Sequence, residues 1–300
     1  METQSLHVGI VGAGTMGVEV AWACRRAGHA TVLYDPDDRA LERATHELRS
    51  DNVGPPLSFA QSLRDAVVGM DVVFENVPEI LEIKQSVHAA IEPFLEEHAI
   101  QGSNSSALKG SSIAPALQRP ERLFNANFDH PRAGGRLVEL MPHAATSLAT
   151  LDRARSWLHG LGMIPIMVRR EITGYAQNRI WRAVKREAMR LVDAEHSTVD
   201  DIDRGFCLLY GVSEGPFATM DRIGLETVLK IEETYFAESG LEEDRPTQLL
   251  RDLVARGRIG VRTGGGFYDY PNPSFGETDW LVWGPDEPKD ELRSREGAKR

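Results

Sequence analysis

The chain has 300 residues, 41% hydrophobic and 26% charged, which is enough material for about two globular domains. Its formal net charge of −11 argues against general affinity for nucleic acid or anionic membrane. No run of about 18 apolar residues suggests a membrane span. The two cysteines, Cys24 and Cys207, suggest no disulfide framework, and the nine scattered histidines suggest no metal site. With no basic-then-apolar leader before the first strand, a cytoplasmic location is expected.

Residues 6–11 (Leu-His-Val-Gly-Ile-Val) read as a short buried strand. The run Gly12-Ala13-Gly14-Thr15-Met16-Gly17 follows it as a G-x-G-x-x-G turn. This turn opens a helix over residues 15–27, with Met16, Val20, Ala23, Cys24 and Ala27 at spacings of three and four. Residues 30–34 form a second apolar strand ending on Asp35, which lies 23 residues beyond Gly12. The acidic residue of a dinucleotide fold is expected after about 20 residues.

Each glycine has a physical task in such a turn. Gly12 lets the chain leave the strand sharply, Gly14 lets a pyrophosphate approach the backbone, and Gly17 lets the helix pack closely. The helix start offers free N–H groups and the positive end of its dipole. Asp35 would accept hydrogen bonds from ribose hydroxyls and repel a 2′-phosphate, so the expected cofactor is NAD rather than NADP.

Further along, residues 36–50 read as a helix, 51–56 as a loop and 62–68 as a short helix. A strand at 71–74 ends in Glu75-Asn76-Val77-Pro78-Glu79. A helix at 80–97 follows, with an apolar stripe of Ile83, Val87, Ala90, Ile91 and Phe94. Strands at 99–102 and 122–128 deliver Ser103-Asn104-Ser105-Ser106 and Asn127-Phe128-Asp129-His130-Pro131. A strand at 137–141 carries Glu139. A helix at 148–161 and a strand at 164–168 close this half.

The alternation predicts an α/β domain with a mostly parallel sheet. Ligands bind beyond the carboxyl ends of such strands, so the polar clusters at 75–79, 104–106 and 127–130 form one candidate site. From residue 172 the pattern is helical, with helices at 175–194 (containing Asn178), 199–206, 215–235 and 246–256. A glycine-rich, aromatic turn spans 259–270. In the tail, Trp280 and Trp283 are candidates to dock on the body, and residues 286–300 read as a charged, mobile end.

Several blocks together resemble the 3-hydroxyacyl-CoA dehydrogenase family. They are the glycine run, Glu75-Asn76-Val77-Pro78-Glu79 with Lys84, Ser103-Asn104-Ser105-Ser106, and Leu137-Val138-Glu139. They continue with Gly174-Tyr175-Ala176-Gln177-Asn178-Arg179, Gly215-Pro216-Phe217 and Arg262-Thr263-Gly264-Gly265-Gly266-Phe267-Tyr268.

The resemblance implies a Rossmann domain over residues 1–170 and an all-α substrate and dimerisation domain over 171–272, and residues 273–300, beyond it, read as a partly disordered tail. It implies a homodimer with the active site between the domains. Glu79 and Lys84 match positions that contact the nicotinamide half of NAD, beside Asn76, Val77 and Asn104. Ser106 and Asn178 match residues that hydrogen-bond the substrate oxygen, and Glu139 matches the carboxylate that orients the catalytic histidine.

The chain departs from this pattern at the histidine itself. The family block His-x-x-Asn-Pro reads Asn127-Phe128-Asp129-His130-Pro131 here. An amide does not titrate, so Asn127 cannot accept the hydroxyl proton, whereas an imidazole can. The expectation is a swap: His130 is the acid/base, held in place by Asp129, and Asn127 is a hydrogen-bonding group. The competing reading is a polar loop histidine in a protein whose catalysis is lost or changed.

A second departure concerns the substrate. Residues 36–70 contain four arginines, no lysine and six acids, where CoA phosphates would call for clustered cations. The expected substrate is a small hydroxy or oxo acid, or an aromatic compound, without CoA. The alternatives are a true 3-hydroxyacyl-CoA dehydrogenase with relocated CoA contacts, and an NAD-binding sensor or structural homodimer without turnover.

Overall fold

A computed structural model of the chain describes residues 5–49 and 53–282. Strand β1 (His7–Val11) enters the glycine turn, helix α1 (Thr15–Arg26) leaves it, and β2 (Ala30–Tyr34) pairs parallel to β1. Helix α2 (Asp38–Arg49) and the two-residue strand β3 (Ser58–Phe59) follow. Then come β4 (Val72–Glu75), α3 (Leu81–Ile91), β5 (Ile100–Ser103) and the single turn α4 (Gly110–Ile113). Strands β6 (Leu123–Phe128) and β7 (Leu137–Met141), helix α5 (Leu148–Gly160) and strand β8 (Ile164–Met167) complete the sheet.

The strand order is β3-β2-β1-β4-β5-β6-β7-β8, parallel except where β6 and β7 run antiparallel. The order reverses direction at β1, so the glycine turn and the ends of β4, β5 and β6 open on one edge, where α/β sheets bind ligands. Alternation along the strands divides the core between the two faces of the sheet. Val8, Ile10, Val72 and Phe74 pack on one face with Phe124, Phe128 and Trp157, while Val11 and Val73 join Val67, Ile91 and Leu95 on the other. Gly102 is required between two rings, because a Cβ there would stand 2.5 Å from Phe124.

Three sequence expectations need correction in this part. Residues 62–68 form successive turns rather than a helix. They pack backbone-first on β1, where a Cβ on Gly9 would stand 2.1 Å from the Ala66 carbonyl oxygen. So short a segment does not sustain a helix by itself. The helix expected through residue 97 ends at Ile91, and Glu92–Phe94, with Pro93 inside it, forms one 3-10 turn. Its inward face also matches the expected stripe only at Val87 and Ile91. Lys84, His88 and Ile91 are buried, while Ile83 and Phe94 are each 37% exposed.

By its internal contacts the chain divides after Arg179, inside helix α6 (Ala176–Asp193). The second unit holds the rest of α6, α7 (Val199–Tyr210), α8 (Pro216–Ile223), α9 (Leu225–Ser239) and α10 (Gln248–Ala255). The single helix expected over 215–235 is broken at Gly224, whose φ of +97° separates α8 from α9. Its core gathers Phe217, Met220, Leu225, Val228 and Tyr268. Trp280 docks on α7, with its indole N–H donating to Asp200 (2.9 Å) and the Arg204 guanidinium donating to its carbonyl (2.7 Å). Trp283 and residues 286–300 lie outside the described residues. Among the described residues, no helix is long and apolar enough to cross a membrane.

Candidate active site

The glycine turn is built as its residue types require. Gly12 has φ +102°, and a Cβ there would stand 2.7 Å from the Asn76 backbone. On Gly17 a Cβ would fall 1.8 Å from the Gly12 carbonyl oxygen, so α1 can start only with glycine at that place. Gly14 faces open space, where a Cβ would meet nothing within 4 Å.

Gly14 is extended and leaves the α1 N-terminus without a side-chain cap, and no acidic residue stands in the first turn. The N–H groups of Thr15, Met16 and Gly17 therefore lie free at the positive end of the helix. The Asp35 carboxylate accepts the Ala13 N–H (2.7 Å) and the Asp37 N–H (2.9 Å), tying the turn to the end of β2. An open glycine, free N–H donors and a carboxylate beyond β2 fit a dinucleotide pyrophosphate and ribose.

Beyond the turn, a cavity of about 500 Å³ opens at the strand ends. It is lined by Met16, Asn76, Val77, Glu79 and Asn104, by Ser106, Asn127, His130, Glu139 and Asn178, and by Phe128, Asp129, Leu137 and Gln177. The candidate catalytic residues thus share one cavity with the candidate nicotinamide contacts.

Asn104 joins the strand ends, donating to Asn76 Oδ1 (2.9 Å) and accepting the Phe128 N–H (3.2 Å). Glu79 holds the loop after β5. One of its oxygens accepts the Ser105 hydroxyl (2.5 Å) and the N–H groups of Ser106, Ala107 and Leu108 (2.8–3.1 Å). That grip fixes the backbone of Ser106, which lines the cavity.

Asn127 stands opposite Glu139 in the β6–β7 register. Glu139 Oε1 accepts the N–H groups of Ala176 (2.9 Å) and Gln177 (3.0 Å), the first residues of α6. Asn178, expected on the helical domain, is thereby clustered with the first unit. Tyr175, at φ +54° and fully buried on Met141 and Val168, anchors the same turn.

Lys84 is not at the cavity wall. It is fully buried behind the β4 end, 2.8 Å from Glu75 and 3.4 Å from Glu79. Glu75 also accepts the Ser103 hydroxyl (2.7 Å) and the Val77 N–H (2.7 Å), and lies 3.3 Å from His88 Nε2. Burial alone would push the Glu75 carboxyl up, but His88 and Lys84 outweigh it and hold the pKa at about 2. Sequence reading missed this network. Its signal was two basic residues, Lys84 and His88, four apart on a helix otherwise read as amphipathic.

The ring of His130 has an unexpected neighbour. Asp129 accepts the backbone N–H of His130 (2.9 Å), not the ring. The carboxylate beside Nδ1 belongs to Glu19 of α1, at 3.8 Å.

Residues 7–172 match the profile "3-hydroxyacyl-CoA dehydrogenase, NAD binding domain", and residues 174–270 match "3-hydroxyacyl-CoA dehydrogenase, C-terminal domain". The chain belongs to the 3-hydroxyacyl-CoA dehydrogenase family. It is accordingly an NAD-dependent dehydrogenase acting on hydroxyl groups, with NAD as its cofactor.

Among its relatives, the human mitochondrial hydroxyacyl-coenzyme A dehydrogenase is 30% identical over 288 residues, covering 88% of this chain and 91% of the relative. The 5-formyl-3-hydroxy-2-methylpyridine 4-carboxylate 5-dehydrogenase of Mesorhizobium japonicum is 28% identical over 283 residues, covering 88% and 90%. Among solved structures, (S)-3-hydroxybutyryl-CoA dehydrogenase from Ralstonia eutropha superposes with a TM-score of 0.81 at 29% identity, covering 89% of this chain and all of the other.

Proposed function

We propose that this dehydrogenase interconverts a small secondary alcohol and its ketone without CoA, and that His130 carries the proton. The observation that carries this reading is the cavity wall. His130 shares it with Ser106, Asn127, Glu139 and Asn178, and the family's histidine position is filled by the amide of Asn127.

The glycine turn and Asp35 would hold NAD, which supplies the hydride acceptor when bound. Ser106 and Asn178 hydrogen-bond the substrate oxygen and hold its carbon in line. His130 takes the hydroxyl proton during oxidation and returns it during reduction. Asn127 steadies the same oxygen by donating from its amide. Glu139 fixes the turn that presents Asn178. Glu79 fixes Ser106, and Lys84 acts through Glu79 from behind the wall.

The lean away from CoA rests on residues 36–70, whose arginines are outnumbered by acids. Arg43 there pairs with Asp37 (3.9 Å), and Arg64 stacks over Phe94. The Mesorhizobium relative, named for a pyridine carboxylate, supports a substrate of this size. The human relative favours the acyl-CoA reading instead. Rates with acetoacetyl-CoA against free 3-oxo acids and aromatic ketones separate the two, with free acids or ketones expected to be faster.

For the proton carrier, His130→Gln should lower turnover by roughly 100-fold and abolish the acidic limb of the pH–rate profile. An acidic limb unchanged in the variant would remove His130 from the mechanism. Tight NAD binding with no turnover across the panel would favour the sensor reading.

The helical unit supports the homodimer reading, because α7 presents Leu208, Leu209 and Tyr210 at 61–75% exposure. Light scattering should give twice the chain mass for the parent, and the chain mass for Leu209→Lys.

A further inference from the structure

We infer that Glu19 is the positioning residue for the His130 ring, a task that the resemblance assigned to Glu139. The inference rests on the proposal that His130 is the acid/base. Three carboxylates stand near His130, and they do different things. Asp129 accepts the backbone N–H of His130 (2.9 Å). Glu139 directs Oε1 to the start of α6. Glu19 alone among the three stands within ion-pair range of the ring, with Oε1 3.8 Å from Nδ1.

Glu19 is built to hold a fixed direction. It is 8% exposed, on the inward side of α1 between Val18 and Val20, which are both buried. Its second oxygen accepts the Arg132 N–H at 2.7 Å, so the residue grips the loop two positions after His130. Arg132 adds a second tie from the same loop by pairing with Glu47 of α2 (3.1 Å). A carboxylate this enclosed, with one oxygen occupied by a backbone donor, has little freedom to turn its other oxygen away from the ring.

The consequence for the ring is a choice of tautomer. A carboxylate beside Nδ1 accepts a proton held on that nitrogen, which leaves Nε2 with its lone pair. Nε2 is then the nitrogen available to take the hydroxyl proton. The 3.8 Å separation is longer than a hydrogen bond, as contacts of acid/base groups often are before substrate enters. Because Glu19 sits on the helix whose first turn meets the pyrophosphate, the same element would place the dinucleotide and the proton carrier.

Glu19→Gln tests this with little change of shape. The amide oxygen can keep the Arg132 N–H, and the amide NH₂ then faces Nδ1 as a donor. The proton should move to Nε2. In cofactor-free protein labelled with ¹⁵N-histidine, at alkaline pH and with His130 assigned by His130→Gln, the parent ring should carry its proton on Nδ1 and the Glu19→Gln ring on Nε2. Turnover of the best substrate among acetoacetyl-CoA, free 3-oxo acids and aromatic ketones should fall about 10- to 100-fold, with the KM for NAD within about threefold, since a wrongly protonated imidazole is catalytically poor.

Two results overturn the inference: the same tautomer in both proteins, or a tautomer change with no loss of turnover. Where Glu19→Gln unfolds, the parent protein alone supplies the readout, and a His130 proton resting on Nε2 in the parent overturns the inference. Undiminished turnover in His130→Gln defeats the acid/base reading itself. A dead His130→Gln beside an unaffected Glu19→Gln defeats only the role of Glu19.

Discussion

Glu75 in the first unit and Asp203 in the second are equally shut off from solvent, at 0% exposure, yet titrate on opposite sides of their ordinary values. Around Glu75 the compensating groups are basic, Lys84 and His88, and its pKa falls to about 2. Around Asp203 they are neutral. The Phe217 N–H (2.8 Å), the Ala218 N–H (2.9 Å) and the Tyr268 hydroxyl (3.0 Å) donate to it, and burial still pushes its pKa up to about 6. Hydrogen bonds from neutral donors favour the ionised form at both sites, but only beside the basic partners of Glu75 is the whole cost of burial offset. The contrast separates two designs. Glu75 underpins the cavity wall through Lys84 and Glu79, while Asp203 caps α8 and ties it to Tyr268.

The contrast breaks most sharply at Lys84. Lys84→Met leaves Glu75 buried without its closest cation, which should destabilise the protein by about 3–5 kcal/mol. Urea unfolding should report this, and a change under about 1 kcal/mol would show that His88 suffices.

The pH dependence has opposite signs in the two units. As pH falls from 4.5 to about 2, unfolded Glu75 binds a proton that folded Glu75 refuses. The first unit therefore loses on the order of 3 kcal/mol on acidification through that window. Between pH 3.8 and about 6, folded Asp203 keeps a proton that unfolded Asp203 has lost. The second unit is thus stabilised by acid in that window and loses a similar amount as pH rises through it. Hydrogen-exchange pulse labelling in urea at each pH resolves the units, with Glu75→Gln and Asp203→Asn expected to flatten the respective slopes.

How much of this was legible in the chain depended on how local the cause was. The glycine turn could be read residue by residue, because backbone sterics at Gly12 and Gly17 admit no alternative. Ser106 and Asn127 could be gathered because each follows or lies at a strand end, whereas Glu139, within β7, and Asn178, within α6, were reached only through the family resemblance. In helix α3 periodicity placed Val87 and Ile91 inward correctly but missed Lys84 and His88. Its inward Lys84 and His88 are tolerated only because Glu75, on a separate strand, balances them. Likewise Glu19 grips Arg132 across 113 residues, so no window of sequence holds both. In α8 and α9 a single Gly224 at positive φ was hidden inside a continuous helical pattern.

The finest test of the contrast is Tyr268→Phe, which takes one neutral donor from Asp203 and leaves the two backbone N–H groups in place. The loss of one buried hydrogen bond should cost about 1 kcal/mol at neutral pH. More telling is the direction of titration. The hydroxyl favours the ionised carboxylate, so its removal should move the Asp203 pKa above 6 and extend the acid-stabilised window toward neutrality. A ¹³C carboxyl titration of the two proteins reads this directly. If the midpoint stays where it was, the ring hydroxyl adds nothing to what the α8 N-terminus already supplies, and neutral donors matter even less to a buried acid than the pairing with Glu75 implies.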